Sequence, residues 1–179
     1  MKSKYMIALT IGMIFALSIC LNAKAEEFEP HLIHVSEYMD PDIPDEIEKA
    51  AEIYGATYHI CPELIEAICF NESSYKPTVK SADGSCIGLM QINASSHKAR
   101  MKRLGLNADD LLTVHGNMIV GCDYLEELFE EYEEPSIVLM AYNGDSRWQQ
   151  GEISYYASHI LEMAAELEEK HGKKPYKNN

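Results

Sequence analysis

From residue 43 onward the apolar positions recur every three to four residues, the spacing that lays one buried stripe along a helix. Ile43, Ile47, Ala50, Ala51 and Tyr54 form the first stripe, with Pro44 placed to open a helix. A second helix is predicted from Pro62, with Leu64, Ile65, Ile68 and Cys69 on its inner face. Residues 73–88 hold Pro77, Gly84 and Gly88 and read as a loop with room for a small hairpin. Residues 94–104 form a basic helical stretch, and Asn107 is suited to cap a short turn through Asp109, Asp110 and Leu111. The amphipathic stretch 117–132 points Met118, Gly121, Cys122, Leu125, Leu128, Phe129 and Tyr132 inward. Residues 135–142 are apolar on nearly every side, which predicts a central helix. A last helix over 153–170 should bury Ile153, Tyr156, Ile160, Met163, Ala164 and Leu167. With no run of strict alternation, the pattern predicts an all-α domain over 43–172, followed by a C-terminal tail at 173–179.

The N-terminus is of a different kind. Lys2 and Lys4 precede an uncharged apolar run from Met6 to Leu21, and Ala23-Lys24-Ala25 supplies small residues at the spacing of a signal-peptidase site. The run is shorter than the roughly 20 residues that a spanning helix needs. A signal peptide over 1–25 is therefore expected, with export to the periplasm or the extracellular cell wall. Cys20 follows Ile19 rather than a small residue, a poor lipidation signal. Residues 26–42 show no period and read as a tail or linker; His31 and His34 lie there without a nearby third ligand.

The net charge of −14 argues against nucleic acid as a partner, because phosphates demand a basic face. Removal of the leader makes the body still more acidic, so it should not cling to an anionic membrane. Cys61, Cys69, Cys86 and Cys122 remain, an even number that suggests disulfides in an exported chain. Cys61 and Cys69 lie about 12 Å apart along one helix, beyond bridging distance. The pairings left are 61–86 with 69–122, or 61–122 with 69–86, with four free thiols as the alternative. No CxxC pair is present, so no metal is expected.

Glu72 stands out because it continues the inner face set by Leu64, Ile65, Ile68 and Cys69. Lost hydration and the carbonyl end of a helix both disfavour its charge and keep the acid protonated near neutrality, as a general acid requires. Glu66 is expected to point outward into solvent.

The stretch Ala67-Ile-Cys-Phe-Asn-Glu72-Ser73-Ser-Tyr75-Lys-Pro77 resembles the opening motif of the soluble lytic transglycosylases. Ser81, Gly84 and Gly88-Leu89-Met90-Gln91-Ile92 follow in order. Gly105-Leu106-Asn107, Asn117, Gly121, Tyr124-Leu125, Ala141-Tyr142-Asn143 and Tyr156 come after them. The resemblance covers about residues 45–170 and implies a lysozyme-like helical fold. It further implies cleavage of the MurNAc–GlcNAc bond of peptidoglycan glycan strands, with a 1,6-anhydro product and no cofactor. In this likeness Glu72 is the catalytic acid and base, and Ser73 supports the end of its helix. Ser81 orients the N-acetyl group, and Met90 and Gln91 line the groove. Tyr142 holds Glu72 by a hydrogen bond, Asn143 follows in the same motif, Tyr156 closes the pocket, and Asn117 is structural.

Two departures matter. Tyr142 is followed by Asn143-Gly144-Asp145, where a small residue and glycine are usual after the motif, and Cys86 stands where small residues are common. A groove-facing Asp83 or Asp145 would favour a hydrolytic muramidase, although a turn residue and a surface charge are the plainer readings. An inactive wall-binding scaffold is the rival of another class. The expected enzyme is a monomer that opens the wall locally for an envelope-spanning secretion or conjugation apparatus.

Overall fold

Proline, glycine and small polar residues set the limits of the helices. In the computed structural model, which describes residues 42–173, helix α1 (Asp45–Tyr58) follows Pro44 and carries Asp45, Glu46 and Glu48 in its first turn. Those acids complement the positive end of the helix dipole. Helix α2 (Pro62–Ser73) has proline at its start and ends where Ser74 turns left-handed at φ 49°. Strands β1 (Cys86–Ile87) and β2 (Ile92–Asn93) pair antiparallel, with Cys86 opposite Asn93 and Ile87 opposite Ile92. Helix α3 (Lys98–Arg103) and a 3-10 turn at Asp110–Leu112 lead into α4 (Val114–Tyr132). The Thr113 hydroxyl caps α4 by accepting from the Gly116 amide at 3.0 Å. Helix α5 (Pro135–Tyr142) is followed by a 3-10 turn at Arg147–Gln150 and by α6 (Tyr155–Lys170), which Ser154 caps. The expected signal peptide and nearly all of the expected tail at 26–42 lie outside the described residues, as do residues 174–179. No described helix is long and apolar enough to cross a membrane.

Helix α2 is the centre of the packing. It lies against α1 and α6, while α4 packs on α1 and α5, and α5 touches α6. Ile65, Ala67, Ile68 and Cys69 are wholly inaccessible, and full burial of an isoleucine side chain contributes about 1.5–3 kcal/mol. Because α2 is covered by both α1 and α6, the one-face reading of its sequence fails at Glu66. That side chain is buried at 1% exposure instead of facing solvent. Burial pushes its carboxyl up to about 7, and its Oε2 has no hydrogen-bond partner.

Three further expectations change. The strand pair begins inside the predicted 74–88 loop, but it closes on Ile92–Asn93, because Gly88 to Gln91 form the turn. Ile153 is exposed, since Ser154 and not Ile153 starts the last helix. All four cysteines are free. Cys61 is exposed at the start of α2 and Cys86 lies on β1, while Cys69 and Cys122 are enclosed in the helical core. Burial and the nearby Glu63 push the Cys61 thiol up to about 12, and burial raises the Cys69 and Cys122 thiols as well.

The basic stretch is accounted for by packing. Arg100 and Arg103 both pair with Asp123 on α4, and Arg100 also reaches Glu127 at 2.6 Å. Asp123 is nearly enclosed and its carboxyl is held low by the two guanidinium groups against the opposing effect of burial. Arg100 and Arg103 thus clamp α3 onto α4.

Candidate active site

The last turn of α2 delivers Glu72 to the end of a groove of about 330 Å³. Ser81, Cys86, Met90, Gln91, Tyr142 and Asn143 line it, and so do Ile92, Asn93, His97 and Tyr124. Glu72 is the one carboxylate among the lining residues. It is half-buried, and loss of hydration raises its pKa above the ordinary carboxylate range. Hydrogen bonds from Tyr156 and Asn71 oppose that shift without reversing it. The Tyr156 hydroxyl donates to Glu72 Oε1 at 2.6 Å. This leaves an acid that holds its proton longer than usual and a donor that steadies it once the proton is gone.

The resemblance implied that Tyr142 holds Glu72, and the structure gives that bond to Tyr156. Tyr142 does not bond Glu72; its hydroxyl donates to the Met90 carbonyl at 2.7 Å. The reason is tertiary. Helix α6 packs along α2 and brings Tyr156 to the carboxylate, whereas α5 delivers Tyr142 to the turn between the strands. Ser73 does not line the groove. It is buried, and its hydroxyl donates to the Cys69 carbonyl at 2.8 Å, which braces the helix that carries Glu72.

The opposite wall is built from the β1–β2 turn. Gly88 takes φ +79°, and a Cβ there would come within 2.2 Å of the Asn117 amide and the Leu111 carbonyl. Asn117 is fully enclosed and fully used: its amide donates to Ile87 and Leu111 carbonyls at 2.8 Å, and its Oδ1 accepts from the Met90 amide at 2.8 Å. This matches its expected structural role. Gln91 adopts φ 47°, a left-handed conformation unusual for a side-chain-bearing residue, and donates back to the Gly88 carbonyl at 2.9 Å. Met90 is wholly buried beneath the groove and fits because Gly121 on α4 has no side chain.

Ser81 accepts from the Cys86 amide at 3.0 Å and donates to Asp83 at 2.6 Å. Asp83 is a turn residue that also takes both donors of Ser85, and these bonds hold its carboxyl down to about 2. Asp145 is bound by Arg147 and does not line the groove. Neither aspartate stands as a second carboxylate.

Sequence reasoning missed the far end of the groove. His97 and Tyr124 meet with ring centres 4.5 Å apart, Tyr124 and Tyr142 at 5.5 Å, and Arg100 lies over the Tyr124 ring. Tyr124 belongs to the resemblance motif and could have been singled out. Asn93 directly follows the Gly88–Ile92 motif and His97 lies in the expected basic helical stretch, and nothing in the sequence marks either as a groove residue.

The transglycosylase SLT domain model matches residues 49–159. Among solved structures, the fold is similar to lytic transglycosylase Slt from Pseudomonas aeruginosa, an inactive glutamate-to-glutamine mutant. Identity there is 18%, over 79% of this chain and 28% of that one, with a TM-score of 0.64. The 70-kDa soluble lytic transglycosylase from Escherichia coli gives 24% identity over 71% of this chain and 25% of that one, with a TM-score of 0.61. A complex of the 70-kDa soluble lytic transglycosylase with bulgecin A gives 23%, 74%, 26% and 0.64 respectively. The chain spans about a quarter of the length of these proteins. No curated protein matches it. The SLT model covers more than half of the sequence and the same helices frame the groove, so the chain belongs to the transglycosylase SLT domain family.

Proposed function

We propose that the protein is a peptidoglycan lytic transglycosylase in which Glu72 acts first as general acid and then as general base. The carrying observation is a half-buried carboxylate, bonded by Tyr156, that is the one acid lining the groove. Glu72 gives its proton to the glycosidic oxygen leaving C1 of N-acetylmuramic acid. The substrate's own acetamide, oriented by Ser81, stabilises the positive charge that develops at C1, so no second carboxylate is needed. Glu72, now ionised and steadied by the Tyr156 hydroxyl, takes the proton of the C6 hydroxyl as that oxygen attacks C1. A 1,6-anhydro end results, with no water consumed. Met90, Gln91, Tyr142 and Asn143 shape the groove beside the cleaved bond.

The apolar leader supports export to the cell envelope, and the protein then works as a monomer. Its acidity disfavours diffuse adhesion to anionic wall polymers, which supports local wall opening for an envelope-spanning secretion or conjugation complex. Equal activity on intact sacculi with and without such a complex would remove that part of the reading.

The deciding experiment is mass spectrometry of muropeptides released from purified peptidoglycan. Products one water lighter than reducing-end sugars are expected from the native protein, and none from Glu72→Gln. Hydrated reducing ends would instead make the enzyme a muramidase.

A further inference from the structure

Asn93 and His97 stand together on the groove wall, where the His97 amide donates to the Asn93 carbonyl at 3.1 Å. Each side chain has one polar end already taken. Asn93 Oδ1 accepts from the Ser95 amide at 3.1 Å, the Ser95 hydroxyl at 2.7 Å and the Ser96 amide at 3.0 Å. Three donors on one atom identify it as the oxygen, so the Nδ2 end faces elsewhere. His97 Nδ1 lies 3.3 Å from Arg100 Nε. A guanidinium donates and never accepts, so Nδ1 is the acceptor and the neutral ring carries its proton on Nε2.

Arg100 is itself fixed. Its terminal nitrogens donate to the Asp123 carboxylate, to the Asp123 carbonyl at 2.9 Å and to Glu127 at 2.6 Å. Its guanidinium also lies over the Tyr124 ring, which meets the His97 ring on the same wall. Burial and the Arg100 charge lower the His97 pKa against the opposing pull of Glu127 and Asp123. The ring therefore stays neutral to lower pH than free histidine does. Neither Asn93 Nδ2 nor His97 Nε2 has a hydrogen-bond partner among the described residues. Neither is sealed off, since Glu66 Oε2 is the one buried polar side-chain atom there without a partner.

The pair thus presents donors to the groove and no free acceptor. Nor does it present a free cation, because Arg100 behind it is already matched by Asp123 and Glu127. Such a surface suits a neutral oxygen acceptor better than a carboxylate, and Tyr124 beside it offers an apolar ring face. We propose that Asn93 and His97 are specificity-determining donors for a neutral amide carbonyl of the glycan strand, with Arg100 as the positioning residue that sets the His97 tautomer. This rests on the reading of the groove as a peptidoglycan site. The strand carries such carbonyls in its N-acetyl groups and in the bond that joins the lactyl group to the peptide. A strand stripped of both would lose this part of its grip.

The test measures binding in a Glu72→Gln background, so that no cleavage intervenes, with the N-acetylglucosamine tetramer and peptide-bearing glycan strands as probes. Asn93→Asp keeps the oxygen that holds Ser95 and Ser96 and replaces only the donor. His97→Phe keeps a ring for Tyr124 and removes the donor. Each should raise Kd about 10-fold, while His97→Gln, which retains a donor, should stay within about threefold of its parent. Loss with the tetramer assigns the acetamide carbonyl, and loss confined to the strands assigns the lactyl–peptide amide. Cellotetraose, which has no amide, should not distinguish the proteins. Nitrogen-15 NMR should show the His97 proton on Nε2 at pH 7, and circular dichroism should show every variant folded. Folded variants with undiminished affinity for both probes would overturn the proposal, as would a proton on Nδ1 or an equal loss with cellotetraose. Product masses are measured separately on the native enzyme, so either reading can fail while the other stands.

Discussion

Helix α2 ends in a half-buried acid, Glu72, and carries a buried one, Glu66, nearer its start. Both have raised pKa values, and desolvation is the largest cause of each. Their surroundings differ in two ways. Glu72 has a tyrosine hydroxyl at 2.6 Å and an open groove in front of it. Glu66 has an oxygen without a hydrogen-bond partner and lies in packed protein within the electrostatic reach of His171, Lys173, Glu63 and Glu48, with no open groove before it. A raised carboxyl pKa is therefore not by itself what marks the catalytic carboxylate. A place for substrate, and a donor ready to receive the charge when the proton leaves, separate the two.

The largest test of that contrast is Glu72→Gln, which keeps the shape and removes the transferable proton. A fall in muropeptide release of about 10³-fold or more is expected, with the melting temperature nearly unchanged. Glu66→Gln should do the reverse, leaving turnover near the native level and changing the response of stability to pH. The Glu66 carboxyl rises from 4.5 to about 7 on folding. The folded state therefore holds the proton where the unfolded state has lost it. The contribution of Glu66 to stability is full below pH 4.5, falls as pH rises toward 7, and is flat above. The loss amounts to about 3 kcal/mol at most. In urea unfolding, that slope should flatten in Glu66→Gln.

Tyr156→Phe sharpens the comparison by making Glu72 more like Glu66. Loss of a donor to the ionised form raises the Glu72 pKa further, so the alkaline limb of the pH–rate profile should move to higher pH. The rate should fall about 10-fold, as the base form loses its support. The smallest effects belong to Asp83→Asn and Asp145→Asn, each expected to stay within about twofold and to leave the product mass unchanged. A switch to hydrated products in the native protein, abolished by either substitution, would restore the hydrolytic reading.

Much of this contrast was out of reach of the sequence. Helix limits were legible because Pro44, Pro62 and Pro135 open helices and the apolar spacing follows one face. Glu72 was legible because it continues such a face. Glu66 was not, since the one-face rule fails for a helix enclosed by two neighbours, and that enclosure depends on α1 and α6. The bond to Glu72 that was expected of Tyr142 and is made by Tyr156 has the same origin. Both were marked as site residues, but which ring reaches the carboxylate is decided by helix packing. The cysteines could be counted but not paired, because their separation is set by tertiary structure. The contact of Cys61 with Glu168 joins residues 107 apart in sequence, a distance no short motif can signal.

Gly121 carries a consequence for how the protein can vary. A methyl group at that position would lie 2.3 Å from the Met90 sulfur, and the thioether, being flexible, would give way before the backbone does. Met90 lines the groove, so position 121, on the same helix that supplies Tyr124 to the groove wall, acts as a volume control for the saccharide bed without lining it. A single inherited methyl there would be felt first by the size of glycan accepted and only afterwards by the stability of the fold.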